Sequence, residues 1–428
     1  MASSLGKKVQ MANNSFKTQS KIDKALYFAF KEQAGIADRI DWRSDEFSAQ
    51  NNLGASINLR RQTELGATET VLGNDESLPS SMNPTVGYKT VSEPVIPLAI
   101  NTRIETNIQY SIEDLTLNLS ADQAYERAIK PAMKRMIDKI NANLINKMEL
   151  SAGQYVAGAS GPATASTGAE WLKHPYSVNA LFDARGVNVG DKSILVAPDV
   201  QALLGPQQAT VFHSAGAEKT YTSGKLAFYA GYDMYASGLQ SARAINSTAA
   251  VTITAVASQP TVWTSSFTVT ATIATADLKA GTRLTFANSA VPVNYVNLST
   301  KANTGKAFSA IVLQDAPIGT GVPLVLSECP VASGDYQNVS AAITASTTVS
   351  VVNTGSTIPS FAFENSAICG ASPEVKIPYG VKGRNINIDG INIAMVETVW
   401  PSTLQSITKL VAFVGIAVPK PESIVAIY

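Results

Sequence analysis

Charge is what this sequence has least of. Only 15% of its 428 residues are Asp, Glu, Lys or Arg, where an average soluble domain carries about 25%. The 33 basic and 33 acidic residues cancel, so no global field draws the chain to nucleic acid or to an anionic membrane. Cysteine is nearly absent as well. Cys329 and Cys369 are too few for a disulfide framework and stand in no metal-ligand spacing; a bridge between them stays open, and two reduced thiols are the expectation. The two histidines, His174 and His213, lie far apart and in no Ser, Asp or metal pattern, which leaves packing as their expected role. No apolar run approaches the roughly 20 residues of a membrane span; Ala25–Phe30 and Leu410–Val418 are the longest. The opening Met1-Ala2-Ser3-Ser4-Leu5-Gly6-Lys7-Lys8 has two lysines with no apolar stretch behind them, which is not a secretory signal. A soluble protein made in the cytoplasm, without a membrane, is expected.

Catalytic patterns are missing too. No G-x-x-x-x-G-K-[ST], G-x-G-x-x-G or G-x-S-x-G occurs, and Gly224-Lys225 and Gly305-Lys306 lack the upstream glycine that lets backbone donors converge on phosphate. Carboxylates are scattered, so no general acid–base pair stands out. We assign no catalytic, cofactor-binding or metal residue, and expect neither an enzyme nor a cofactor.

What is present is an order of parts. The length exceeds what one core supports, so two or three domains are expected. With 45% apolar residues and so little charge, much of the surface must be neutral or covered by a partner. Ile22, Leu26, Ala29 and Phe30 share a helical face on an otherwise polar arm. Gly54 to Tyr110 reads as a long hairpin: Ile57 and Leu59 alternate with polar neighbours, as do Val86 and Tyr88, and Asn74-Asp75-Glu76 with Pro79, Ser80, Ser81, Asn83 and Pro84 supplies turn chemistry at its tip. Within it Ile104, Ile108 and Tyr110 face one way, and Arg103, Glu105, Asn107 and Gln109 the other. Ser120 and Gln123 then have capping-box spacing, and Tyr125, Ile129, Met133, Met136, Ile140, Leu144 and Met148 recur every three or four residues. That predicts a helix of about eight turns, kinked at Pro131. Its other face carries Arg127, Lys130, Lys134 and Lys147, either a solvated stripe or a surface turned toward a polyanion.

Tyr155 to Gly168 reads as a loop, and Trp171 to Tyr235 as an α/β lobe with a strand at Ser193–Ala197 and a helix at Pro198–Leu204. From Ala244 the texture turns to Thr, Val, Ala and Ser. Val251–Thr254, Phe267–Ile273, Leu284–Phe286, Phe308–Val312 and Val349–Val351 are β-branched or alternating runs, the pattern of a small barrel or sandwich. The block ends near Cys369. Beyond it, Ile386, Ile388, Ile391 and Ile393 flank an Asp389-Gly390 turn, and Leu410–Val418 forms a last apolar strand.

Several short segments, in this order, carry a resemblance. They are Ala124-Tyr125-Glu126-Arg127-Ala128-Ile129, Ala230-Gly231-Tyr232-Asp233, Leu278-Lys279-Ala280-Gly281-Thr282 leading into Leu284-Thr285-Phe286, Ser402-Thr403-Leu404, Gly415-Ile416-Ala417-Val418 and Pro421-Glu422-Ser423-Ile424. With them the chain resembles tailed-phage major capsid proteins of the Hong Kong 97 fold, and within that fold the coat proteins of short-tailed Salmonella phages, which carry a telokin-like insertion. The resemblance implies an α+β fold divided into an N-terminal arm (1–50), an extended loop (51–110), a spine-helix part of the P-domain (111–160), a first part of the A-domain (161–243), an inserted β-barrel (244–370) and the remainder of the A- and P-domains (371–428). It implies a structural subunit of the virion that self-assembles into hexamers and pentamers of an icosahedral shell. The implied partners are copies of itself, a scaffolding protein and a portal protein, with a decoration protein left open; double-stranded DNA is enclosed without sequence-specific contacts. Arg60 and Arg61 on the hairpin, with Asp75 and Glu76 at its tip, are expected at intersubunit contacts or else as solvated decoration. Arg127, Lys130 and Lys134 are the candidate interior basic face. The competing class is a bacterial surface or extracellular β-rich module, which the Ser/Thr/Ala-rich block alone suggests; it predicts a signal peptide and repeated β-domains. An enzyme with an unrecognised site is the third class and predicts concentrated ionisable residues.

Overall fold

The computed structural model describes residues 35–44, 56–61, 93–111, 129–156, 171–187, 190–211, 228–241, 243, 245, 249–256, 259–288, 291–353, 358–400 and 405–428. The expected arm helix, the hairpin tip, the Ser120/Gln123 cap, Arg127 and His213 lie outside these. The chain divides into two compact units. The first takes Met1–Ile57, Pro97–Lys147 and Ile368–Ala417; the second takes Asn58–Ile96, Met148–Ala367 and Val418–Tyr428.

In the first unit a sheet runs Asp41–Trp42, Cys369–Ala371, Gln405–Ala417, Ile391–Trp400, Lys382–Ile388, and Val95–Ser111 also lies antiparallel against Gln405–Ala417. The period-two pattern places Ile104 inside while Arg103, Glu105, Asn107 and Gln109 are exposed. Isoleucines 386 and 393 are cross-strand partners, as are 388 and 391. Asp389 and Gly390 between them have φ of 49° and 88°, the left-handed pair that a two-residue hairpin turn needs. A helix, α1 (Lys130–Ser151), buries Met133, Met136, Ile137, Ile140 and Leu144 along one face. Pro131 is its second residue, and Ile129 just ahead sits in a wider π-type turn; the kink expected at Pro131 turns on residues before 129, which lie outside the described ones. Asn141 Oδ1 accepts the Ala37 N–H at 3.1 Å, seating the short 3-10 turn Gly35–Arg39 on the helix. Cys369 is buried and free; burial pushes its thiol up to about 11.

Among the described residues the second unit has three sheets, the smallest a pair of strands, Asn294–Val296 with Asn303–Ala307. A mixed sheet runs Gln154–Val156, Ile424–Ile427, Ser360–Glu364, Lys192–Val196, Tyr232–Ala236, so Tyr155 and Val156 are strand rather than loop. Helices α2 (His174–Arg185) and α3 (Pro198–Val211) accompany it, and α3 is longer than the sequence pattern suggested. Trp171, Val178, Phe182, Ile194, Val196 and Leu204 pack its core. A separate sheet runs Val291–Pro292, Arg283–Asn288, Thr348–Val351, Ala250–Ala255, Phe267–Ala274, Gly319–Leu326, with Ser309–Ile311 on Arg283–Asn288. Each β-rich run picked out in the sequence overlaps one of these strands. Val251, Ile253, Val269, Ala271 and Ile273 point inward between outward threonines, onto a core where Phe308 lies 5.7 Å from Phe286 and 5.2 Å from Tyr295. Cys329 is likewise buried and free.

Candidate functional site

The polar residues of the second unit collect in one buried seam, where the 244–353 sheet meets the mixed α/β sheet. Arg185 is the last residue of α2; its C-terminal Gly186 turns left-handed at φ 71° and donates to the Asp183 carbonyl at 3.1 Å. That fixes the end from which the Arg185 guanidinium reaches Glu328 at 2.6 Å, with side chains only 3% and 2% exposed. Asn338 Nδ2 donates to the same carboxylate at 3.3 Å and to the Cys329 carbonyl at 2.9 Å. The Arg185 guanidinium also lies 4.2 Å above the Tyr295 ring. The Tyr295 hydroxyl reaches the Gly153 and Ser309 carbonyl oxygens and accepts the Ser309 N–H at 3.2 Å. Burial, with Glu328 nearby, pushes its phenol up to about 12.

A second pair stands beside the first. Arg61 meets Glu422 at 3.0 Å and lies 4.3 Å over the Trp263 ring, and Gln154 Nε2 holds the Glu422 backbone carbonyl at 2.8 Å. Burial pushes the Glu328 carboxyl up, Glu422 adds to the rise, and Arg185 and Arg61 oppose it. Nearby, fully buried Arg283 donates to the Ala152 carbonyl and to Ser309 Oγ, both at 2.8 Å, and to the Tyr428 hydroxyl at 3.3 Å. The seam thus joins the end of α1, the end of α2, the 244–353 sheet and the last residues of the chain. Ions taken out of water are tolerated when paired and hydrogen-bonded. Both carboxylates here are paired, but Arg185 Nε and Nη1 and Glu328 Oε2 are buried with no hydrogen-bond partner among the described residues, so the Arg185–Glu328 pair is only partly satisfied.

The expected site residues are placed as follows. Arg60 and Arg61 are neighbours with opposite environments: Arg60 is exposed and pairs with Glu93 at 3.1 Å, while Arg61 is buried in the seam, because its strand alternates and only one parity faces Trp263. Asp75, Glu76 and Arg127 lie outside the described residues. Lys130 and Lys134 are exposed on α1, opposite its apolar face, and neither has an ion-pair partner among the described residues. Arg185, Trp263, Arg283, Tyr295, Glu328 and Glu422 were not anticipated. The only advance signal was Pro421-Glu422-Ser423-Ile424, notable as a family match and silent about contacts.

One open cavity of about 360 Å³ lies beside the seam, lined by Gln154, Tyr155, Val156, Ser177, Leu181, Tyr295, Lys306 and Ala307. Among the described residues no group of three His, Cys, Asp or Glu side chains could hold a metal ion, and no helix is long and apolar enough to cross a membrane. His174 stacks edge-on against Trp171 with centroids 6.0 Å apart. The seam holds separate stretches of the second unit together.

A family model for the P22 coat protein matches residues 89–423. No curated protein matches. Among solved structures the chain is similar to one of Mycobacterium phage Che8, at 10% identity, covering 91% of this chain and 89% of that one with a TM-score of 0.44. It is similar to the capsid of the cyanophage P-SCSP1u, at 10% identity, 92% and 86% coverage and a TM-score of 0.46, and to a virus-like particle from Pyrococcus furiosus, at 9% identity, 96% and 98% coverage and a TM-score of 0.39.

Proposed function

Because the chain belongs to the P22 coat protein family, and is thereby a structural, non-enzymatic major capsid protein of an icosahedral phage shell, we propose that its copies close that shell as hexamers and pentamers. The observation that carries this reading is the family match across residues 89–423. The proposed organisation is that of the Hong Kong 97 fold: arm 1–50, extended loop 51–110, spine-helix segment 111–160, A-domain 161–243 and, after the insertion, 371–428. Residues 244–370 are proposed as an inserted, telokin-like β-barrel, as in the coat proteins of short-tailed Salmonella phages. The self-contained apolar core of the 244–353 sheet supports that assignment.

Rings of identical subunits use heterologous interfaces, in which one patch meets a different patch on the neighbour. An extended loop suits this, since its backbone adds to a neighbour and its side chains set register. Arg60 is exposed and is proposed at that contact, with Asp75 and Glu76 at the loop tip; Arg61, which serves the seam, is set aside. The zero net charge suits a container that encloses double-stranded DNA without gripping it. Arg127, Lys130 and Lys134 are proposed as a basic face toward the interior. Scaffolding and portal proteins are the proposed partners, a decoration protein a further one, and synthesis is in the host cytoplasm.

The test is expression of the chain alone and with its scaffolding partner, followed by negative-stain electron microscopy. Closed shells, sheets or tubes tens of nanometres across are expected; a monomer under both conditions overturns the reading.

A further inference from the structure

The cavity beside the seam carries more than packing. Three kinds of surface converge on it. One wall is the strand Gln154–Val156, the outermost strand of its sheet. Among the described residues it pairs, in parallel, with Ile424–Ile427 alone. Tyr428 N–H donates to the Val156 carbonyl at 3.0 Å, so Val156 turns its backbone groups toward that partner. In a parallel pair alternate residues face the same neighbour, and the N–H and C=O of Tyr155 therefore point to the open edge. Among the described residues neither has a partner, which leaves a donor and an acceptor of the kind that extended segments add to.

A second wall is charged. Lys306, on the strand Asn303–Ala307, is exposed, lines the cavity and has no ion-pair partner among the described residues. The Tyr155 hydroxyl has no hydrogen-bond partner among them either, and fully buried Arg283 lies 5.6 Å from the Tyr155 ring. The hydrogen bonds of Arg283 go to neutral oxygens and Glu149 offsets part of its charge, so Lys306 is the main positive charge at this wall. The remaining lining is apolar: Val156, Leu181 and Ala307. The other three polar groups are already satisfied, Ser177 Oγ by the Lys173 carbonyl at 3.3 Å, Gln154 Nε2 by the Glu422 carbonyl at 2.8 Å and the Tyr295 hydroxyl by the Ser309 carbonyl at 3.0 Å. What such a site takes is an extended peptide bringing a carboxylate to Lys306 and Tyr155 and an apolar side chain to Leu181.

We propose that this cavity receives the acidic segment Asp75-Glu76-Ser77-Leu78 of a second copy of the chain. The argument is charge complementarity within a protein that associates with its own copies. Adjacent carboxylates occur at Asp45-Glu46, Glu113-Asp114 and Asp75-Glu76. Only Asp75-Glu76 is followed two residues on by a leucine and stands in a sequence rich in Asn, Ser and Pro, from Asn74 to Pro84. A volume near 360 Å³ accommodates one or two side chains, and effective concentration within a closed shell compensates for a weak single contact. The inference rests on the proposed intersubunit role of the loop tip and supplies its receptor.

Assembly yield and thermal stability of particles are measured for Asp75→Lys/Glu76→Lys, for Lys306→Glu and for the three changes combined. Lys306 is exposed, so each unassembled variant is expected to melt as the parent does. Each separate variant is expected to lower yield several-fold, and the combination to recover at least half of the loss. If the tip reversal cripples assembly while Lys306→Glu assembles as the parent, the cavity is not the receptor and the tip's intersubunit role stands. Failure of the combination to recover any yield also overturns the pairing. Normal assembly of both separate variants overturns the cavity and the tip contact together.

Discussion

The two units use charge in contrasting ways. On the sheet of the first unit, ionic side chains lie on the wet face: Glu105 sits between Arg103 and Lys409, the latter at 2.9 Å, and Lys382 meets Glu397 at 3.4 Å. The second unit has wet pairs too, such as Arg60 with Glu93 at 3.1 Å and Lys279 with Asp315 at 3.3 Å. It alone, among the described residues, adds pairs in the interior, Arg185 with Glu328 and Arg61 with Glu422. A chain with so few charges places several where each must be matched. The wet pairs decorate a sheet whose alternation already holds it together, while the buried pairs determine how separate stretches of one chain fit. Register on a half-buried sheet is set by side-chain parity. The meeting of distant segments has no such local rule, and a buried ion pair supplies one by penalising every mismatch.

The largest way to break this contrast is Glu328→Ala. It leaves the Arg185 guanidinium buried without its carboxylate, and losing one partner of a buried pair costs about 3–5 kcal/mol. Denaturant unfolding of the unassembled chain is expected to show that loss. The double change Arg185→Met/Glu328→Leu sharpens the point, because apolar replacement of both partners is often neutral; most of the stability should return. If Glu328→Ala is silent, the seam does not fasten the second unit.

Tyr295→Phe comes next. It removes a hydroxyl that meets the Gly153 and Ser309 backbones, for an expected loss of about 1–2 kcal/mol. The same change has a pH signature. The Tyr295 phenol is raised from its ordinary value of 10.0 to about 12, so the folded chain keeps a proton that the unfolded chain releases. Its contribution is complete below pH 10 and is lost as pH climbs toward about 12. Urea titrations across that window are expected to show a shallower alkaline decline in the variant; an identical decline means another group carries it.

The parts read well from the sequence are those with local causes. Alternation placed Ile104 inside and Glu105 outside, and Asp389-Gly390 announced its turn because two left-handed residues in succession favour that dipeptide. The β-rich runs from Val251 to Val351 fell on strands for the same reason. The seam was not legible. Arg61 and Glu422 are 361 residues apart and Arg185 and Glu328 143, and no periodicity links them. Arg283 gave no signal: it shares parity with Thr285, the side away from the Leu284 and Phe286 core. The structure covers that side with Ala152 and Tyr428. Arg61 misled, as one of two adjacent arginines whose difference in burial depends on Trp263, which is 202 residues away by 263 − 61.

The smallest effect belongs to the wet sheet, and it tests the contrast from the other side. Glu105 is held below the usual carboxylate range chiefly by its hydrogen bond to Lys409, with Arg103 adding to the effect. A depressed carboxyl contributes stability above its ordinary pKa and loses it as pH falls through the lowered value. Exposure to water and salt reduces that contribution, since attraction between solvated ions is weak and ordering two long side chains opposes it. Glu105→Gln is therefore expected to leave the unfolding midpoint at neutral pH within experimental error, and to leave its dependence on salt and mild acid nearly unchanged. A drop comparable to that of Glu328→Ala would mean that the outer face of this sheet is ionically fastened like the seam, and the distinction between decorating charges and fitting charges would not describe this chain.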